Sequence, residues 1–113
     1  MAAKVKICGL STEATLAAAI TAGADYVGLV LYPPSPRNVG LAEARTLAAA
    51  ARGKAVIVAL LVDPTDAEIA DAVAHVDPDM LQLHGSETPE RVGEIRSRSG
   101  RKVMKAIKVA TAG

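Results

Sequence analysis

Two runs of this chain, Tyr26-Val27-Gly28-Leu29-Val30-Leu31 and Ala55 to Val62, are almost unbroken in apolar residues. A strand that is apolar on both faces is one covered on both faces, as strands of parallel sheets are. Parallel strands need crossovers, so helical segments are expected between them. The rest of the chain supplies them. The first strand covers Val5–Cys8, and Ser11 or Thr12 then caps a helix that runs through Thr15–Thr21 and stops at Gly23. The second strand covers Ala24–Tyr32, and Leu41–Arg52 is a helix ended by Gly53. Ala55–Val62 is the third strand, and Asp63-Pro64-Thr65 opens a helix over Asp66–His75. Met80–Leu83 is the fourth strand. The fourth helix starts at Ser86-Glu87-Thr88-Pro89-Glu90, with Pro89 in its first turn, and ends near Gly100. Arg101–Val109 is the fifth strand.

The order is β-α-β-α-β-α-β-α-β, with no linker or low-complexity segment, and it reads as one α/β domain over residues 1–113. Two architectures fit it. One is a five-stranded doubly wound sheet. The other is a (βα)4β portion of a TIM (β/α)8 barrel, incomplete in this chain, since a whole barrel takes about 250 residues. The barrel reading leaves the first and fifth strands as open edges, which invite self-association.

Composition narrows the function classes. The net charge is +1 with the charges dispersed, so no basic block points to nucleic acid. The two tyrosines, Tyr26 and Tyr32, are the whole aromatic content and too few for a base-stacking platform. No apolar run is long enough for a membrane span. The single cysteine forms no internal disulfide, and the amino terminus has no signal-peptide pattern; a soluble cytoplasmic protein is expected. No His, Cys or carboxylate spacing suits a metal, and neither Gly-x-Gly-x-x-Gly nor a Walker loop occurs, so no cofactor is expected.

The residues with chemical potential fall at carboxyl ends of strands, where parallel α/β folds place their sites. Alternation puts Lys4, Lys6 and Cys8 on one face of the first strand, with Cys8 last before Gly9. Cys8 reads either as a small buried hydrophobe or as a thiolate base or nucleophile that Lys6 would favour electrostatically. Arg37 stands in the stiff loop Pro33-Pro34-Ser35-Pro36, as a solvated cation or as a fork for a carboxylate or phosphate. Gln82 and His84 share a face of the fourth strand. Asp63 ends the third strand as a cap or turn residue. His75 suits the end of the third helix. Lys105 and Lys108 lie on opposite faces of the fifth strand.

Val5-Lys6-Ile7-Cys8-Gly9 resembles the opening strand of the phosphoribosylanthranilate isomerase family. So do Gly28-Leu29-Val30-Leu31-Tyr32 with Pro34-Ser35-Pro36-Arg37, Leu81-Gln82-Leu83-His84-Gly85, and Lys105-Ala106, all in the family's order. The resemblance implies a barrel enzyme of tryptophan biosynthesis. Such an enzyme converts N-(5-phosphoribosyl)anthranilate to 1-(2-carboxyphenylamino)-1-deoxyribulose 5-phosphate by an Amadori rearrangement, without metal or cofactor. It further implies that Cys8 is the general base at C2 of the ribose and that Arg37 binds the anthranilate carboxylate. His84 stands at the mouth of the site, with Lys6 and Gln82 lining it. The family's general acid, an aspartate after strand six, and its phosphate loops have no counterpart in this sequence, so the chain alone is expected to be close to inactive. Other readings remain open: a related phosphosugar barrel enzyme, a self-assembling half-barrel, and a receiver-like signalling domain. The receiver reading would use Asp63 as phosphate acceptor and Lys108 as its partner, but it lacks the acidic pair after strand one.

Overall fold

The computed structural model describes residues 5–105. Lys4, Ala106 and Lys108, and the continuation of the expected fifth strand to Val109, lie outside the described residues. Nine elements follow in order: β1 (Lys6–Cys8), α1 (Glu13–Thr21), β2 (Tyr26–Val30), α2 (Leu41–Ala51), β3 (Val56–Leu61), α3 (Asp66–His75), β4 (Met80–Leu83), α4 (Pro89–Ser99) and β5 (Lys102–Lys105).

The helices begin where side chains can satisfy free backbone N–H groups. Thr12, rather than Ser11, caps α1: its Oγ1 accepts from Thr15 N at 3.1 Å while Thr15 Oγ1 accepts from Thr12 N at 3.2 Å. Thr65 caps α3 with Glu68 in the same reciprocal arrangement. Thr88 caps α4, Pro89 occupies its first turn, and Gly100 closes it with φ of 64°. β2 is shorter than the apolar run suggests, because local turns take over both ends. Ala24 N donates back to Ala19 O, and Tyr32 O accepts from Ser35 N.

All four strand pairs are parallel, in the spatial order β1-β2-β3-β4-β5. That order separates the two architectures. A doubly wound sheet reverses direction at a switch point, and the flavodoxin-like order is 2-1-3-4-5. Here every crossover advances one strand the same way, so right-handed connections put all the helices on one face. Neighbouring helices pack in sequence, α1 on α2, α2 on α3 and α3 on α4. This is the (βα)4β arrangement of a TIM-type barrel, and the receiver-like topology is excluded.

The apolar side chains lie on both sides of the sheet. Under the helices, Leu16, Val27, Leu29, Leu47 and Ile57 form one cluster, and Ile69, Leu81, Leu83, Ile95 and Val103 another. The helix-free face carries Val58, Leu60 and Met80, flanked by Tyr26, Val30 and Val56. At the amino edge of the sheet, carboxylates tie strands together. Asp25 accepts from Val5 N and Asp79 from Ile57 N, each at 2.8 Å.

Candidate active site

The register fixes which residues share the helix-free face. Cys8 pairs with Gly28, Gly28 with Val58 and Val58 with Met80. One pleat nearer the carboxyl edge, Val30, Leu60, Gln82 and Met104 are in line. Lys6 and Cys8 therefore look onto the same surface as Gln82, and His84 follows Gln82 at the end of β4.

Cys8 is exposed. Its room is provided by the neighbouring strand: a Cβ on Gly28 would stand 3.0 Å from the Cys8 Sγ and 2.9 Å from Leu60 Cδ1. Among the described residues, nothing covers the Cys8 side chain.

Arg37 reaches the same place by a folded-back loop. Turns close from Ser35 N to Tyr32 O and from Asn38 N to Ser35 O, and Ser35 Oγ accepts from Arg37 N. Asn38 then bridges to Val30, and Val39 N donates to Val30 O at 2.9 Å. Buried Val39 anchors this return. The Arg37 side chain consequently lies across Gly9. A Cβ there would meet Arg37 Cδ at 2.6 Å and Nη1 at 3.3 Å, and Gly9 has a φ of 79°, a conformation that suits glycine. The guanidinium thus lies against the residue that follows Cys8.

Gln82 is only 8% exposed, and its Oε1 has no hydrogen-bond partner among the described residues. A buried amide oxygen left unpaired is costly, and such groups call for an explanation in function or in solvent. His84 is half-buried, and its backbone N donates to Leu61 O at 3.0 Å, extending the β3–β4 ladder past Leu83.

Asp63 is a turn residue with φ of 43°, but it is not the cap of α3, which is Thr65. Its Oδ1 accepts from Ser86 N at 2.8 Å and its own N donates to Glu87 Oε2 at 2.8 Å. Glu87 is a member of this edge that sequence reasoning passed over as part of a helix entry. Its side chain is 1% exposed and pairs with Lys105, Oε1 to Nζ, at 2.6 Å. Burial pushes the Glu87 carboxyl up. The hydrogen bond from Lys105, those from the backbone N–H groups of Glu87 and Asp63, and the Lys105 charge together outweigh it and hold the group below the usual carboxylate range. The signal available in the sequence was an acid directly after His84-Gly85-Ser86, which a helix entry explains equally well. His75 ends α3, away from this edge, as its position in the last turn predicts. Among the described residues no group of three His, Cys, Asp or Glu side chains could hold a metal ion, and no helix is long and apolar enough to cross a membrane.

The sequence model of one family, described as N-(5'phosphoribosyl)anthranilate (PRA) isomerase, matches residues 5–112. The chain belongs to the N-(5'-phosphoribosyl)anthranilate isomerase family. It is 59% identical over 110 residues to the N-(5'-phosphoribosyl)anthranilate isomerase of Azorhizobium caulinodans, covering 97% of this chain and 48% of that protein. It is 60% identical over 108 residues to that of Afipia carboxidovorans, covering 95% of this chain and 46% of the relative. The chain thus spans about half the length of these relatives. Phosphoribosyl anthranilate isomerase from Thermotoga maritima superposes with a TM-score of 0.89 at 31% identity, over 96% of this chain and 52% of that one. A structure of the isomerase in complex with reduced 1-(o-carboxyphenylamino)-1-deoxyribulose 5-phosphate also superposes with a TM-score of 0.89 at 31% identity, over 96% of this chain and 55% of that one. Membership of the isomerase family accords with the strand order and with the strand-end motifs around Cys8, Arg37 and His84.

Proposed function

We propose that the complete natural protein carrying this chain converts N-(5-phosphoribosyl)anthranilate to 1-(2-carboxyphenylamino)-1-deoxyribulose 5-phosphate, as a cytoplasmic enzyme of tryptophan biosynthesis that uses no cofactor. The observation that carries this reading is the Arg37 guanidinium laid on Gly9, beside an exposed Cys8 on a helix-free face. In the rearrangement the ribose ring oxygen takes a proton from a general acid of the complete protein and the C1–O bond breaks as the anthranilate nitrogen lone pair forms a protonated imine at C1. Cys8 as thiolate then removes the proton from C2, and the C–H electron pair forms the C1–C2 double bond of an enamine. In the tautomerisation the thiol returns its proton to C1 while the C2 hydroxyl gives up its proton to the acid that protonated the ring oxygen, leaving the ketone at C2. Arg37 serves as the planar fork for the anthranilate carboxylate, a task its five fixed donors suit better than a lysine would. Gln82 Oε1 is available to accept from a substrate hydroxyl, and Lys6 and His84 flank the same surface.

The test is turnover of the substrate by the complete protein, followed through the anthranilate fluorescence. Conversion is expected, and its absence overturns the reading. With Arg37→Ala the KM should rise about 10- to 100-fold, the loss of charged hydrogen bonds worth about 1.5–3 kcal/mol. An unchanged KM removes the carboxylate role.

A further inference from the structure

His84 flanks the proposed substrate surface although it lies one residue beyond the end of β4. Each residue from His84 to Glu87 is fixed by a partner on another element. His84 N donates to Leu61 O on β3. Gly85 O accepts from Lys105 Nζ on β5. The Gly85 Cα is pressed against the Asp63 carboxylate, since a Cβ there would lie 2.5–2.6 Å from its carbon and both oxygens. Ser86 N donates to Asp63 Oδ1, and Glu87 closes the ring by accepting from Asp63 N and from Lys105.

Lys105 is in register with Leu83, on the helix-covered side of the sheet, opposite to the face of Cys8 and Gln82. It approaches the turn from behind, 30% exposed, while the Glu87 side chain is almost wholly buried. A buried ion pair is a poor source of net stability, because desolvation offsets most of the attraction; its better-attested use is to specify one conformation. Here it specifies the path of the β4–α4 turn.

We propose that Glu87 and Lys105 are positioning residues for His84: their ion pair, with the Asp63 turn, clamps His84-Gly85-Ser86 between the ends of β3 and β5 so that His84 stands at the substrate rim. The proposal rests on the isomerase reading of that rim. Neither residue touches substrate; both act through the turn.

The experiment uses the complete natural protein with Glu87→Gln and, separately, Lys105→Gln, which removes the charge but keeps a donor for the Gly85 carbonyl. Amide hydrogen exchange is read at His84, Gly85 and Ser86, and kcat and KM are measured alongside His84→Ala. Exchange at the turn should rise at least tenfold in both variants while Val58 and Leu81 stay protected. The value of kcat/KM should fall about 10- to 100-fold, as small misplacements of binding groups do. Adding His84→Ala to either variant should cost little more, because the clamp acts through His84. Unchanged exchange at the turn, or a loosened turn with wild-type kinetics, overturns the clamp. Failure of the isomerase reading has a separate signature: the wild-type protein does not turn over the substrate, whatever exchange shows at the turn.

Discussion

At the scale of single residues, two glycines do as much as the polar groups to shape this edge. Gly28 leaves space for the Cys8 thiol, and Gly9 lets the Arg37 side chain lie flat on the backbone. Gly28→Ala puts a methyl group into contact with Sγ and with Leu60. Overpacking of this kind costs about 1–3 kcal/mol, measurable by urea unfolding, and kcat should fall as the thiol is displaced. Neither role was legible in the sequence. Gly9 reads as a strand stop and Gly28 as one more residue of an apolar run, because the atoms that crowd them come from neighbouring strands and a returning loop. Cys8, Gln82 and His84 could be singled out from strand ends and alternation, since parallel strands deliver their last residues to a common rim, and Arg37 from the three prolines that stiffen its loop.

At the scale of elements, the helix starts were the most legible part. The stretches Ser11-Thr12, Asp63-Pro64-Thr65 and Ser86-Glu87-Thr88-Pro89-Glu90 announce three of them, and the structure picks Thr12, Thr65 and Thr88 as the caps, through local rules that need no tertiary partner. Thr65→Ala should cost about 1 kcal/mol in thermal or chemical unfolding, and restoring Ser should recover most of it. The β4–α4 connection was not legible, because Glu87 and Lys105 are 18 residues apart and only the sheet brings them together. Their pair also sets a pH dependence. The folded Glu87 carboxyl titrates below its unfolded value, so its contribution to stability is complete above that unfolded value. It is lost as pH falls through the depressed folded value. The stability gap between wild type and Glu87→Gln should therefore be widest at neutral pH and close under acid, as read from urea midpoints across pH 7 to 2.

At the scale of the whole molecule, the sheet divides its labour between its two edges. The amino edge is tied by Asp25 to Val5, just before β1, and by Asp79 to β3, and Arg101 reaches the Pro78 carbonyl and the Asp77 carboxylate beside it. The carboxyl edge gathers Cys8, Arg37, Gln82 and His84. Asp79→Ala should thus lower stability by about 1–3 kcal/mol and leave KM unchanged, a separation that unfolding and steady-state kinetics together resolve. The strand order itself was undecidable from the sequence, because β-α alternation is common to doubly wound sheets and barrels. The steady advance from β1 to β5 decided it. The central claim, that Cys8 is the base that takes the C2 proton, is tested most directly by kcat of Cys8→Ala in the complete natural protein at neutral pH. A fall of about 10²- to 10⁴-fold with little change in KM is predicted, the usual contribution of a positioned general base; a variant that turns over at the wild-type rate contradicts it.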